Sequence, residues 1–357
     1  MPRTRRALAA LPDLSGVRLA CDWHIELKMI PVVAGLLGRG AALFVTSCSA
    51  TTVRPQVAAE MARCGAIIQA APDMAQAELA ASYEAALDWG PTHLCEIGAD
   101  LSLTLLRRTN PDQQPDVRAS LEATGTGINR LAQLTLPYPL FNWDDLPVKE
   151  GLHNRHMVGL TTWQTFFQRT RLSLHEKQVL VVGYGLVGRG LATTARAFGG
   201  RVMVTEVNAA RRLEAAYAGW PVLELEEALP VADVVVTATG AEKVIAARHL
   251  TLLRDGVFLL NAGHLAAEID VGALRERAGA GVEIVPFVHA FLLNDKTVYL
   301  LADGAMVNLT AGPGDSLNAF DVTLAVMVAG IGHIVTTGQE SAPGVHLLPR
   351  AVWETVL

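Results

Sequence analysis

The chain has 357 residues, 51% of them hydrophobic, and a mean hydropathy of +0.30. This composition excludes a disordered chain, and the length suits about two domains. Lys and Arg number 29 against 35 Asp and Glu, a net charge of −6 with no basic cluster, which argues against nucleic acid as a partner.

Near the N-terminus, Arg3, Arg5 and Arg6 precede an apolar run that stops at Pro12, too short for a secretory signal. Apolar runs at residues 17–21, 41–46, 66–69 and 93–97 read as strands, with helices over 27–37, 54–63 and 74–87 between them. Such alternation predicts a mainly parallel sheet with helices on both faces. Residues 107–118, polar and containing two prolines, read as a surface loop. Residues 137–154, rich in Pro, Asp and aromatics, read as a crossover between domains.

A second α/β region starts near Leu172. Strands are expected at 178–182, 201–205, 222–225, 234–237, 257–261 and 283–285, with a helix over 186–198 and a long buried helix over 324–336. The longest apolar stretch, residues 322–335, is shorter than the roughly 20 residues of a membrane span, so a soluble, cytoplasmic chain is expected. Cys21, Cys48, Cys64 and Cys95 show no C-x-x-C spacing and read as free thiols; no metal site is expected.

Gly183, Gly185 and Gly188 form G-x-G-x-x-G directly after the strand QVLVV. Gly183 permits a tight turn, Gly185 lets the backbone approach a pyrophosphate, and Gly188 lets the following helix pack closely. The helix start at Leu186 and Val187 offers unpaired N–H groups to phosphate. Glu206 ends the next strand, where a carboxylate accepts the ribose hydroxyls of NAD and repels a 2′-phosphate. Thr237-Ala-Thr239-Gly240 and Asn261-Ala-Gly263-His264 end later strands at the carboxyl edge, which lines the ligand crevice of an open α/β sheet. His264 is therefore expected to face the nicotinamide end.

These segments together resemble a known family. GYGLVGRG, VTEVN, TATG, NAGHLAAEIDV and LADGAMVNL follow one another in the second region. Upstream stand Cys21-Asp-Trp-His24, Glu96-Ile-Gly-Ala-Asp100, Leu121-Glu-Ala-Thr-Gly-Thr-Gly127 and Val148-Lys149. Over nearly its whole length the chain is similar to S-adenosyl-L-homocysteine hydrolase. The resemblance implies an α/β protein of two domains, a Rossmann NAD-binding domain over 160–312 and a Rossmann-like α/β substrate-binding domain over 1–150 with 318–357. Hinges near 146–159 and 313–318 would close the two over substrate.

The resemblance also implies NAD as a catalytic cofactor that oxidises a ribose 3′-hydroxyl transiently. The 3′-ketone acidifies C4′–H, the 5′ substituent leaves, water adds, and the hydride returns. Position by position, it implies Lys149 and Asn154 in 3′-oxidation, His24 and Asp100 at the 5′ leaving group and water, and Glu122 on the ribose. It places His264 near sugar and nicotinamide, and Thr124, Thr126 and Asn308 on the cofactor. The residue types suit these tasks: a lysine in a dry site loses proton affinity, and a His/carboxylate pair passes a proton either way.

The chain departs from the family pattern at the substrate. His153 replaces an aspartate between the lysine and the asparagine, and the threonine-rich turn EETTTG becomes LEATGTG. Glu26 and Lys28 replace the Thr and Glu that hold adenine, and Asp315 replaces a nucleoside-contacting histidine. A lysine cannot accept a hydrogen bond, so Lys28 is expected to prefer a keto oxygen or an acidic substituent. The chain stops at Leu357, where the family continues with an arm into a neighbour's NAD site; a homodimer with readily exchanging NAD is expected. The expected activity is that of an NAD-dependent lyase or hydrolase performing 4′,5′-elimination or addition, such as dehydration, on a non-standard nucleoside of specialised metabolism. A small-molecule nucleoside is the expected partner, with neither nucleic acid nor membrane. The alternatives are a divergent S-adenosyl-L-homocysteine hydrolase, a sugar dehydrogenase that releases a keto product, and a non-catalytic NAD-binding regulator.

Overall fold

A computed structural model describes residues 1–108, 110 and 114–357. The expected loop at 107–118 lies partly outside the described residues; Arg107 ends a helix, and the other described positions there are in neither helix nor strand. The chain divides into two compact units, Met1–Lys149 with Leu317–Leu357, and Glu150–Ser316.

The first unit begins with α1 (Pro2–Ala10), β1 (Arg18–Asp22), α2 (Ile30–Gly38), β2 (Ala42–Thr46), α3 (Pro55–Cys64) and β3 (Ile67–Ile68). It continues with α4 (Gln76–Asp88), β4 (His93–Glu96), α5 (Asp100–Arg107), β5 (Ala119–Glu122), α6 (Gly125–Leu131) and β6 (Pro139–Asn142). Proline in the first turn of α2 and of α3 suits a position whose N–H would be unpaired anyway. A π-helix, Lys149–Met157, runs into α7 (Val158–Thr170). Residues 137–154 thus hold a strand and the start of a helix, where a plain crossover was expected. The strand PLFN is buried at all four positions, so it shows none of the alternation that marks a half-buried strand.

The second unit follows with β7 (Gln178–Val182), α8 (Leu186–Ala197), β8 (Arg201–Thr205), α9 (Ala209–Tyr217), α10 (Leu225–Ala228), β9 (Val234–Thr237) and β10 (Val257–Asn261). Then come α11 (Val271–Ala278), the strands β11 (Val282–Val285), β12 (Val288–Leu293) and β13 (Lys296–Leu301), and α12 (Val307–Thr310). The strand expected at 222–225 is a single bridge from Val222 to Val204. Glu227 accepts the Glu224 backbone N–H and starts α10 instead. The chain returns to the first unit with α13 (Leu317–Ile334), β14 (Gly344–Leu347) and α14 (Arg350–Trp353).

The first sheet has the order β14-β6-β5-β4-β1-β2-β3 with every pairing parallel. The order reverses between β1 and β4. The second sheet has the order β11-β12-β13-β10-β9-β7-β8; β11, β12 and β13 form an antiparallel meander and the rest is parallel. Its reversal lies between β7 and β9. Open sheets of this kind bind ligands at the carboxyl ends of the strands flanking such a reversal.

The apolar stretch read at 322–335 belongs to α13, whose 18 residues and mean hydropathy of 1.5 match a membrane span by length and composition. Leu324, Ala325, Val328 and Ile331 are buried, in one cluster with Ala7 and Leu8 of α1 and Leu121 of β5. In this fold α13 is a core helix of the first unit.

Candidate active site and cofactor cradle

In the second unit, Val182 pairs with Thr205 on one side and Thr237 on the other, so the glycine turn rises from the reversal point. Gly183 has φ +96°, and a Cβ there would come within 2.6 Å of the Ala238 carbonyl oxygen. A Cβ on Gly188 would overlap the Gly183 carbonyl. Gly185 differs: its nearest neighbour would be Arg211 Nη1 at 3.8 Å, so its space is open. Leu186 and Val187 start α8 beside it. Glu206 Oε2 accepts the Tyr184 N–H at 2.7 Å, which holds this carboxylate against the turn.

The two loops of the opposite wall are tied together by side chains. Thr237 Oγ1 donates to Asn261 Oδ1 at 3.1 Å, and Asn261 Nδ2 reaches the carbonyls of Gly263, Leu265 and Gly304. Glu268, fully buried, accepts from the Thr239 N–H and hydroxyl and from the Gly240 N–H. Burial raises its carboxyl against these donors. Sequence reading missed Glu268; the available signal was an acid set between Ala267 and Ile269 in an apolar segment. His264 lies half-buried on the bend after Gly263. Asn308 is 2% exposed, donates from Nδ2 to Thr161 Oγ1 at 3.4 Å, and leaves Oδ1 without a partner among the described residues. In the same unit His153 Nδ1 lies 3.6 Å from Asp315 Oδ2, and Asn154 is half-buried on the π-helix.

In the first unit the reversal between β1 and β4 carries His24 and Asp100 on the segments that leave these strands. His24 Nδ1 lies 2.9 Å from Thr52 Oγ1 and 3.4 Å from Cys48 Sγ, two neighbours that sequence reading did not supply. Burial pushes the Cys48 thiol well above its usual range, so it stays protonated. Asp100 opens α5 and pairs with Arg130 Nη2 at 2.8 Å. Lys149 Nζ lies 3.6 Å from Asp144 Oδ1 and 5.7 Å from the Trp143 ring; Asp144 Oδ2 accepts the Gly125 N–H at 2.9 Å. Thr124 caps α6 by accepting the Gly127 N–H, and Thr126 lies in the first turn. Glu26 and Lys28 form a buried ion pair, and Lys28 Nζ stands 4.1 Å above the Phe320 ring.

The strand ends place a row of polar side chains in register: Thr46, Asp22, Glu96, Glu122 and Asn142. Glu122 accepts from the N–H groups of Gly98, Ala99 and Thr124 and from the Thr124 hydroxyl, so its carboxyl braces the turns around it. Burial, with Glu96 beside it, nevertheless pushes its carboxyl up to about 8. Asp22 is fully buried, and neither oxygen has a hydrogen-bond partner among the described residues. Burial and then Asp100 raise its carboxyl well above the usual range. The folded chain therefore holds protons that the unfolded chain releases, so stability falls as pH rises from about 4.5 to about 8. A melting series from about pH 5 to about pH 9 is expected to decline toward the alkaline end. Asp22→Asn, which cannot ionise, should melt above the parent at the alkaline end; equal curves would contradict this account.

The profile described as S-adenosyl-L-homocysteine hydrolase, NAD binding domain, matches residues 164–314. Over 345 residues the chain is 31% identical to the S-inosyl-L-homocysteine hydrolase of Methanopyrus kandleri, covering 95% of this chain and 81% of that protein. The chain belongs to the S-adenosyl-L-homocysteine hydrolase family. The adenosylhomocysteinase of Thermotoga maritima is 32% identical over 96% of this chain and 86% of its own. The TT0316 protein from Thermus thermophilus shares the fold alone, with a TM-score of 0.52 at 14% identity over 92% of this chain and 99% of that one.

This family is one of NAD-dependent hydrolases, and NAD is the cofactor. The second unit fits the group. The space at Gly185 that a Cβ would fill suits a pyrophosphate, the Glu206 carboxylate suits a ribose diol, and the unpartnered Asn308 oxygen suits an N–H donor. Among the described residues no group of three or more His, Cys, Asp or Glu side chains is arranged to hold a metal ion.

Proposed function

We propose that the chain uses NAD to oxidise the 3′-hydroxyl of a nucleoside transiently, and that this oxidation enables elimination or addition across C4′ and C5′ of a nucleoside with a keto base. The turn at Gly185 and the Glu206 carboxylate would hold NAD, which would supply a reversible hydride acceptor for the sugar carbon. Lys149, braced by Asp144, takes the proton from the 3′-oxygen. His24 and Asp100 take the proton from C4′ and hand one to the 5′ leaving group; on addition they take one from the entering water and return one to C4′. Glu122, which accepts the Thr124 hydroxyl and so fixes that turn, lies on the ribose.

The single observation behind the keto base is the buried Glu26–Lys28 pair. Lys28 stands where the family pattern places a glutamate that accepts from the adenine amino group. An ammonium there donates, so its complement is a keto oxygen. The carboxylate beside it accepts from the ring N–H next to that oxygen. A 6-keto purine offers both in that order, and the Methanopyrus kandleri relative is, by its name, a hydrolase of an inosyl substrate. Restoring the family residues with Glu26→Thr and Lys28→Glu together should shift kcat/KM from inosine-type toward adenosine-type substrates by about 10- to 100-fold. An unchanged ratio would remove this pair from base recognition.

The reaction itself is tested in D₂O with NAD and candidate nucleosides. Deuterium at C4′ is expected with a 6-keto nucleoside, and its absence with every nucleoside would overturn the reading. A second reading, hydrolysis of a 5′-thioether, is favoured by the similarity to an S-inosyl-L-homocysteine hydrolase. Release of a free thiol from that substrate would support it over dehydration.

A further inference from the structure

Two of the family positions that this sequence has changed face each other. His153, on the π-helix, and Asp315, on the segment between α12 and α13, are both buried, with Nδ1 and Oδ2 3.6 Å apart.

The pair continues into a polar chain. Thr161 Oγ1 lies 3.2 Å from Asp315 Oδ1, 3.0 Å from the Met157 carbonyl oxygen and 3.3 Å from the Val158 carbonyl oxygen. All three are acceptors, so the single Thr161 proton is directed to one of them and its lone pairs are left to receive a donor. That donor is Asn308 Nδ2 at 3.4 Å. The amide of Asn308 is thereby oriented with its buried oxygen outward from Thr161 and without a partner among the described residues.

We propose that His153 and Asp315 act as one positioning pair, which holds the segment after α12 against α7 and so keeps the Asn308 side-chain oxygen turned toward the carboxamide N–H of the nicotinamide ring. Asp315 Oδ1 is one of three acceptors within reach of the Thr161 hydroxyl, and His153 Nδ1 lies beside the second carboxylate oxygen as an ion-pair partner when protonated. The proposal depends on the cofactor and not on which nucleoside is turned over, so it can fail while the nucleoside reading stands, and the reverse.

The test is a double-mutant cycle on the full chain, read by fluorescence titration with NADH and with the reduced 3-acetylpyridine analogue, which lacks the amide N–H. The parent is expected to favour NADH over the analogue by about tenfold, because an unmatched buried acceptor is penalised. His153→Asp puts two carboxylates together and Asp315→His two imidazoles. Each should weaken NADH binding by about tenfold or more and bring the NADH-to-analogue ratio toward one. The reciprocal double variant should return to within about threefold of the parent. Losses that multiply in the double variant would overturn the pair. So would single variants that weaken both ligands equally with the ratio intact, since a merely structural role gives that result. If the reciprocal variant does not fold, the cycle of His153→Gln with Asp315→Asn decides: non-additive losses support the pair and additive losses refute it.

Discussion

Lys149→Met is expected to lower kcat by roughly 100- to 10,000-fold, the range set by removing a positioned proton-transfer group. NADH should bind with little change, because the glycine turn and the Glu206 carboxylate fit the cofactor, whereas Lys149 pairs with Asp144. Lys149 is fixed by a chain that starts in its own unit. The Gly125 N–H holds Asp144, and Asp144 holds the ammonium over the flank of Trp143. Methionine keeps the apolar stem and removes the nitrogen, so packing survives while the proton acceptor does not. Rapid-mixing absorbance distinguishes the cases. The parent, given substrate, should show a burst of reduced nicotinamide, and the variant none. A variant retaining more than about a tenth of parental turnover would remove Lys149 from the chemistry.

The second large effect separates two glycines of one motif. Gly188→Val should unfold the second unit or destabilise it by about 3 kcal/mol or more, because the added carbon overlaps the Gly183 carbonyl and neither backbone can retreat. At Gly185 the first added carbon meets only Arg211 Nη1, at 3.8 Å, so with Gly185→Val the fold should persist while the pyrophosphate space is filled. Calorimetry and NADH titration read the two losses independently. Gly188→Val should lose both the melting transition and binding, whereas Gly185→Val should keep its melting temperature and lose at least about 100-fold in affinity. Equal melting behaviour in the two would refute this division of roles.

The parallel core strands were legible because a strand buried on both faces is an unbroken apolar run; QVLVV and VVVT carry that signal without ambiguity. The glycine turn and Glu206 were legible because their spacing follows from dinucleotide geometry. What stayed hidden depends on partners far away in the chain. The β12–β13 hairpin turns at Asn294, whose φ of +54° is a positional fact, and β14 is four residues added to a sheet edge from the far end of the molecule. Glu268, Asp144 and Cys48 are unremarkable in their local sequences and acquire meaning from what folding brings to them. His153 and Asp315 were each visible as departures; that they meet is a property of the fold alone.

The first unit is discontinuous: β14 completes its sheet and α13 fills its core, and both are encoded after the whole of the second unit. On the ribosome, the earlier-made part of the first unit must therefore wait with one edge of β6 unpaired and the bed of α13 uncovered, while the glycine-turn unit, being contiguous, can collapse as soon as it emerges. Maturation then runs against the order of translation. The interval in which a bare strand edge is open to misassociation is as long as the time needed to make Glu150–Ser316.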